Sequence, residues 1–153
     1  MLRLSKMNDY AVVVMGQLAG NRGGLLTAAE IAEATGIPLT TVSQVLKKLG
    51  HGGLVTSHRG ARGGYVLDRT PDEVSVAEIV AALEGPVALT ACVDGAEGGC
   101  VVETMCPMRG GWDRVNLAIQ EALASVTLAD MLAPNTAFAA RLRSDPDRPA
   151  PIA

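Results

Sequence analysis

Aromatic residues are nearly missing from this 153-residue chain, which has one Trp, two Tyr and one Phe, or 3% of the total. Its core must therefore be built from Ala, Val, Leu, Ile and Met, the bulk of a 48% hydrophobic fraction, and that favours helices over a large sheet. No apolar run approaches the roughly 18 residues that a membrane span needs. The start, MLRLSKMNDY, leads into an amphipathic pattern with no signal-peptide cleavage site, so a cytoplasmic protein without a membrane partner is expected. Catalytic signatures are also lacking: there is no Cys-x-x-Cys, no Cys/His pair and no nucleotide-binding glycine motif, and the length excludes a large enzyme. Cysteine itself is scarce and odd in number. Three thiols in a reducing compartment argue against a disulfide framework and raise metal binding or redox chemistry.

Charge is present but unevenly placed. Residues 1–69 carry eight Lys/Arg against four acids, a balance of +4, whereas the remainder carries five against twelve, a balance of −7. A basic half that meets a polyanion and an acidic half with another task is the simplest reading, and the whole-chain value of −3 hides it.

Along the chain, Ser5 is placed to cap a first helix running to about Ala19, with Tyr10, Val14, Met15 and Leu18 forming one apolar stripe. Thr27 and Glu30 form a capping box that opens a short helix to about Thr35, and Gly36 makes a turn. Pro38 begins a third helix in which Leu39, Val42, Val45, Leu46 and Leu49 face inward. The runs Leu54-Val55-Thr56 and Tyr65-Val66-Leu67 then flank a basic, glycine-rich hairpin tip. A second capping box, Ser75 with Glu78, starts a helix to about Leu83. From Trp112, the positions Trp112, Val115, Ile119, Ala122 and Val126 recur at alternating spacings of three and four, the pattern of a narrow helical seam.

Two short helices joined at Gly36, the second exposing small polar and basic side chains, match helix-turn-helix logic. Thr40, Thr41, Ser43 and Gln44 have the length and chemistry to reach base edges, and Lys47 and Lys48 suit phosphates. Arg59 and Arg62 stand between glycines at the hairpin tip, where the backbone can approach DNA closely. The order helix, helix, helix, hairpin is that of a winged helix. Without the wing and the charge split, the third helix would read equally well as an ordinary amphipathic helix.

Cys92, Cys100 and Cys106 lie in one glycine-rich segment with seven and five residues between them, and Pro107 follows the last. Thiolates are the usual protein ligands of iron–sulfur clusters, and a loose loop lets three sulfurs converge. Structural zinc usually takes paired ligands about two to four residues apart, a spacing absent here. Three buried structural cysteines fit poorly among Asp94, Gly95, Glu97, Gly98 and Gly99. A thiol redox protein, with Arg109 and the following helix lowering a thiol pKa, accounts for the cysteines but leaves the basic half unexplained.

The segments RLSKMNDYAVVVMGQLA, GIPLTTVSQVLKKLGHGGLV and RGARGGYVL, with the C-x7-C-x5-C-P spacing, resemble the Rrf family of winged-helix regulators, the IscR, NsrR and RirA type, over residues 1–132. CVVETMCPMRGGWDRVNLAIQEALASVTLADM is most similar to the branch that regulates the SUF iron–sulfur assembly genes. The resemblance implies a mainly α protein: a winged-helix DNA-binding domain at 1–84 with a two-stranded wing, a cluster-binding loop at 85–111, a long dimerisation helix at 112–132 and a disordered tail at 133–153. It implies a homodimer on a roughly palindromic operator in double-stranded DNA, repressor or activator, with Thr40, Ser43 and Arg59 matching the family's DNA-reading positions. It further implies a [2Fe-2S] or [4Fe-4S] cluster on Cys92, Cys100 and Cys106 acting as a redox or iron–sulfur sensor, a sensor of nitric oxide or iron being the alternative. This chain departs from the pattern in its longer first cysteine gap and in Arg109, which stands where IscR-like members supply a histidine. Asp9 of the partner subunit matches the carboxylate ligand of NsrR-like members; Glu97, Glu103, a water or a small thiol are the other choices for the fourth position.

Overall fold

The computed structural model describes residues 3–21, 23–90, 93 and 111–134. Six α-helices occur among them: α1 (Lys6–Gly20), α2 (Ala28–Thr35), α3 (Leu39–His51), α4 (Val76–Glu84), α5 (Gly111–Ala124) and α6 (Leu128–Leu132). Two strands, β1 (Thr56–His58) and β2 (Gly64–Val66), form the wing, and a single 3-10 turn spans Pro71–Glu73.

One apolar cluster holds these elements together. Ala11, Val14, Met15 and Leu18 of α1 meet Ile31 of α2, Val42, Val45, Leu46 and Leu49 of α3, and Ile79 and Leu83 of α4. Their spacing of three and four is what turns each helix's apolar stripe toward a common centre. Leu128 is fully buried in the same cluster, which anchors α6 against the wing-bearing domain.

Local chemistry sets the boundaries. The Thr27 and Ser75 hydroxyls accept from the backbone N–H of Glu30 and Glu78, and each glutamate accepts from the capping residue's N–H in return. Gly36 ends α2 at φ +72°, a left-handed conformation that glycine adopts without strain, and so sets the turn into α3. The wing is antiparallel, pairing Thr56 with Val66, Ser57 with Tyr65 and His58 with Gly64. Leu26, just before α2, adds a bridge to the far side of Tyr65 through reciprocal backbone bonds of 3.1 and 2.8 Å. A Cβ at Gly64 would stand 2.9 Å from the Leu26 carbonyl oxygen, so glycine is what lets the two backbones approach.

Several expectations need correction. Ser5 occupies the N-cap of α1, but its side chain makes no capping bond; its hydroxyl donates to Glu84 Oε1 at 2.8 Å instead. Leu39 is 50% exposed, because the first turn of α3 projects beyond the core that its later residues fill. The strands sit one to two residues from the expected runs, since Leu54 and Val55 turn into the core before pairing begins. The helix expected over 112–132 breaks at Ser125, where Thr127 caps a separate α6 and Val76 donates to the Val126 carbonyl at 2.8 Å. Of the tail expected at 133–153, residues 135–153 lie outside the described residues.

Candidate nucleic-acid interface and cysteine segment

The outer face of α3 follows from its inner one. With Val42, Val45, Leu46 and Leu49 buried, Thr40, Ser43, Gln44 and Lys47 are left exposed, and Thr41 is half-buried at the edge. Arg59 and Arg62 are exposed at the wing tip. The fold thus presents a helix of small polar donors and a basic hairpin side by side. A groove of about 570 Å³ separates them, with Ser43 and Lys47 on the helix side; Thr40, Thr41, Gln44, Arg59 and Arg62 lie outside its walls.

Lys48 does not join this surface in the expected way. Its Nζ donates to the Leu83 carbonyl at 2.5 Å, satisfying an orphan acceptor in the last turn of α4. A lysine near a helix C-terminus is also favoured by the helix dipole. The sequence places Lys48 on the polar face of α3; only the fold brings the end of α4 within its reach.

The same end of α4 is held from a second side. Glu84 Oε1 accepts from the Ser5 backbone N–H at 3.0 Å, from the Ser5 hydroxyl at 2.8 Å and from Asn8 Nδ2. The Ser5 N–H bond is the main cause of a Glu84 pKa below the usual carboxylate range, with the Ser5 hydroxyl, Asn8 and the Lys48 charge adding to it. Asn8 is itself buried, whereas its neighbour Asp9 is exposed in the first turn of α1.

Past α4, the chain is pinned to α5. Asn116, 5% exposed, donates through Nδ2 to the Val87 carbonyl at 3.0 Å and accepts the Leu89 N–H on Oδ1 at 3.1 Å, while Gln120 donates to the same Val87 carbonyl at 3.1 Å. This two-way amide clamp was not expected from the sequence. An Asn beside an apolar seam was its only signal. Cys92, Cys100, Cys106, Glu97, Glu103 and Arg109 lie outside the described residues. Among the described residues no three His, Cys, Asp or Glu side chains gather as a metal site, and no helix is long and apolar enough to cross a membrane.

Comparison with known proteins agrees with this architecture. The model of the Rrf2 family, described as iron-dependent transcriptional regulators, matches residues 4–134. The chain is 33% identical over 152 residues to the HTH-type transcriptional regulator IscR of Sodalis glossinidius, covering 99% of this chain and 91% of that one. Among solved structures, CymR, the global cysteine regulator of B. subtilis, superposes with a TM-score of 0.63 at 34% identity, covering 86% of this chain and 96% of CymR. IscR of T. potens superposes with a TM-score of 0.60 at 33% identity, with 92% and 91% coverage.

Proposed function

Since the chain belongs to the Rrf2 family of winged-helix transcriptional regulators, which are not enzymes, we propose that it controls iron–sulfur assembly genes of the SUF type in the cytoplasm by sensing cluster status. In this reading a homodimer grips a two-fold operator through α3 and the wing, with Thr40, Thr41, Ser43 and Gln44 toward the bases and Arg59 and Arg62 carried by the hairpin. Cys92, Cys100 and Cys106 hold a [2Fe-2S] or [4Fe-4S] cluster, with Asp9 of the partner subunit as the fourth donor. The cluster-binding loop spans residues 85–111, between the DNA-binding domain at 1–84 and the dimerisation segment at 112–132.

The donor chemistry fits such a group. Three thiols within fifteen residues form a soft, anionic donor set suited to iron–sulfur ligation. Asp9 is exposed on α1 and thus free to be offered to another subunit. When bound, a cluster supplies a redox-active centre whose ligation ties the three thiolates together.

The observation that carries the switch is how the stretch leading into the cysteines is held. Leu83 and Glu84 are bonded to Lys48 of α3 and to Ser5 and Asn8 of α1, and Val87 and Leu89, still ahead of Cys92, are bonded to Asn116 of α5. A shift of this stretch on cluster binding is passed to the recognition helix through the first set of bonds and to the α5 seam through the second.

A sensor of iron through the same thiols is the second reading, favoured by the family's description as iron-dependent. One experiment tests both. Protein purified without oxygen is expected to absorb visible light and to contain iron and acid-labile sulfide, and Ala at any of the three cysteines is expected to bleach it. Mobility shifts on the protein's own upstream DNA are expected to differ between loaded and stripped forms. Colourless protein with neither iron nor sulfide sinks the cluster reading; iron without sulfide leaves the second one.

A further inference from the structure

The groove between α3 and the wing has two polar walls. Ser43, Lys47 and His51 line one of them at steps of four residues, a single face of the helix. Ser57 and Tyr65 line the other; they are direct cross-strand partners and so share one face of the hairpin. The floor between them is apolar, and none of the lining side chains is acidic. Thr56 also borders the groove, but its hydroxyl donates to Asp68 and is committed there. Every remaining polar side chain in the walls can donate a hydrogen bond.

A winged helix with α3 in a major groove and its hairpin beside it must have one DNA strand running between the two, because a sugar–phosphate backbone separates neighbouring grooves. The gap that receives this strand needs donors and no carboxylates. Those are the properties of this groove. We propose that it holds a phosphodiester of the operator strand, gripped by Lys47 and His51 from α3 and by Ser57 and Tyr65 from the wing. This rests on the DNA-binding reading above and adds His51, Ser57 and Tyr65 to it. The contacts set how deeply the recognition helix sits, whatever the base sequence.

The test uses the full-length protein and fluorescence anisotropy on two duplexes of equal length, one from its own upstream DNA and one with that sequence scrambled. His51→Ala, Ser57→Ala and Tyr65→Phe are each expected to weaken both duplexes by the same factor, roughly tenfold for a lost bond to a charged oxygen, leaving their ratio unchanged. Lys47→Gln is expected to reduce the slope of log affinity against log salt by about 1. His51 and Ser57 are exposed, so these variants keep the wild-type far-UV spectrum. Wild-type binding with unaltered variants overturns the phosphate groove alone, as does a change in the ratio, which would mean base contact. Wild-type protein that binds neither duplex overturns the DNA-binding reading together with it.

Discussion

On Glu78 two residues converge. Its carboxylate takes an Arg69 Nη1 bond at 2.7 Å and receives the Ser75 backbone N–H and hydroxyl at 2.8 and 2.9 Å. The Arg69 bond, then the Ser75 N–H, holds its pKa at about 2, below the ordinary 4.5. A carboxylate depressed on folding stabilises the native state above its unfolded pKa and loses that contribution as pH falls toward the folded one. Glu78→Gln, which keeps a capping amide but removes the charge, is therefore expected to lower stability at pH 7 and to match wild type near pH 2. Both side chains are well exposed, 39% for Arg69 and 42% for Glu78, so solvent screening limits the loss to about 1 kcal/mol. Urea titrations at pH 7, 4 and 2.5 check this, and a difference at the lowest pH as large as that at pH 7 refutes it. The Ser75 part of this site was legible in the sequence, because a capping box needs only two residues three apart. The Arg69 part was not, since its nine-residue separation becomes a contact only once the post-wing turn folds back. The bond from Lys48 to the Leu83 carbonyl was hidden for the same reason: helical periodicity says which face a side chain occupies, and nothing local says which neighbouring helix ends there.

Among elements, the helices were more legible than their joints. Stripes of three and four residues located α1, α3 and the start of α5, and two capping boxes located α2 and α4. The same signature recurs at Thr70 with Glu73 and at Thr127 with Asp130, and the second of these ends the idea of one continuous C-terminal helix. It was readable as Thr-x-x-Asp, but a seam that carries on through Val126 masks the break. The bridge that Leu26 adds to the wing was less accessible still, because Leu26 lies 39 residues from Tyr65 and only the tertiary fold unites them. Gly64 tests its importance. A Cβ there would press on the Leu26 backbone, which cannot swing aside as a flexible side chain would. Gly64→Ala is expected to loosen the wing from the α2 entry and to weaken operator affinity about tenfold while leaving the helical far-UV signal intact. Unchanged anisotropy binding would show that the wing needs no such tether.

At the scale of the whole molecule, the charge division and the α5 seam point the same way. A balance of +4 over residues 1–69 and −7 over the remainder makes the first stretch the part suited to a polyanion and leaves the second for contacts of a different kind. On α5 the inward face carries Asn116, whereas Trp112 and Val115 of the seam are 45% and 44% exposed. Apolar side chains at this spacing, uncovered in one copy, suit packing against a second α5 across a two-fold axis. Pairing would also fix the distance between two recognition helices, which a two-fold operator demands at about one helical turn of DNA. Val115→Glu places a charge in the middle of the seam without touching the core around α1 to α4. Light scattering after size exclusion is expected to give a dimer for wild type and a monomer for this variant, which should retain weak binding to random duplex and lose operator affinity by at least about a hundredfold, because the second half-site no longer arrives tethered to the first. A Val115→Glu protein that stays dimeric would remove α5 as the pairing element. One that is monomeric yet binds the operator as tightly as wild type would mean that a single head carries all of the recognition.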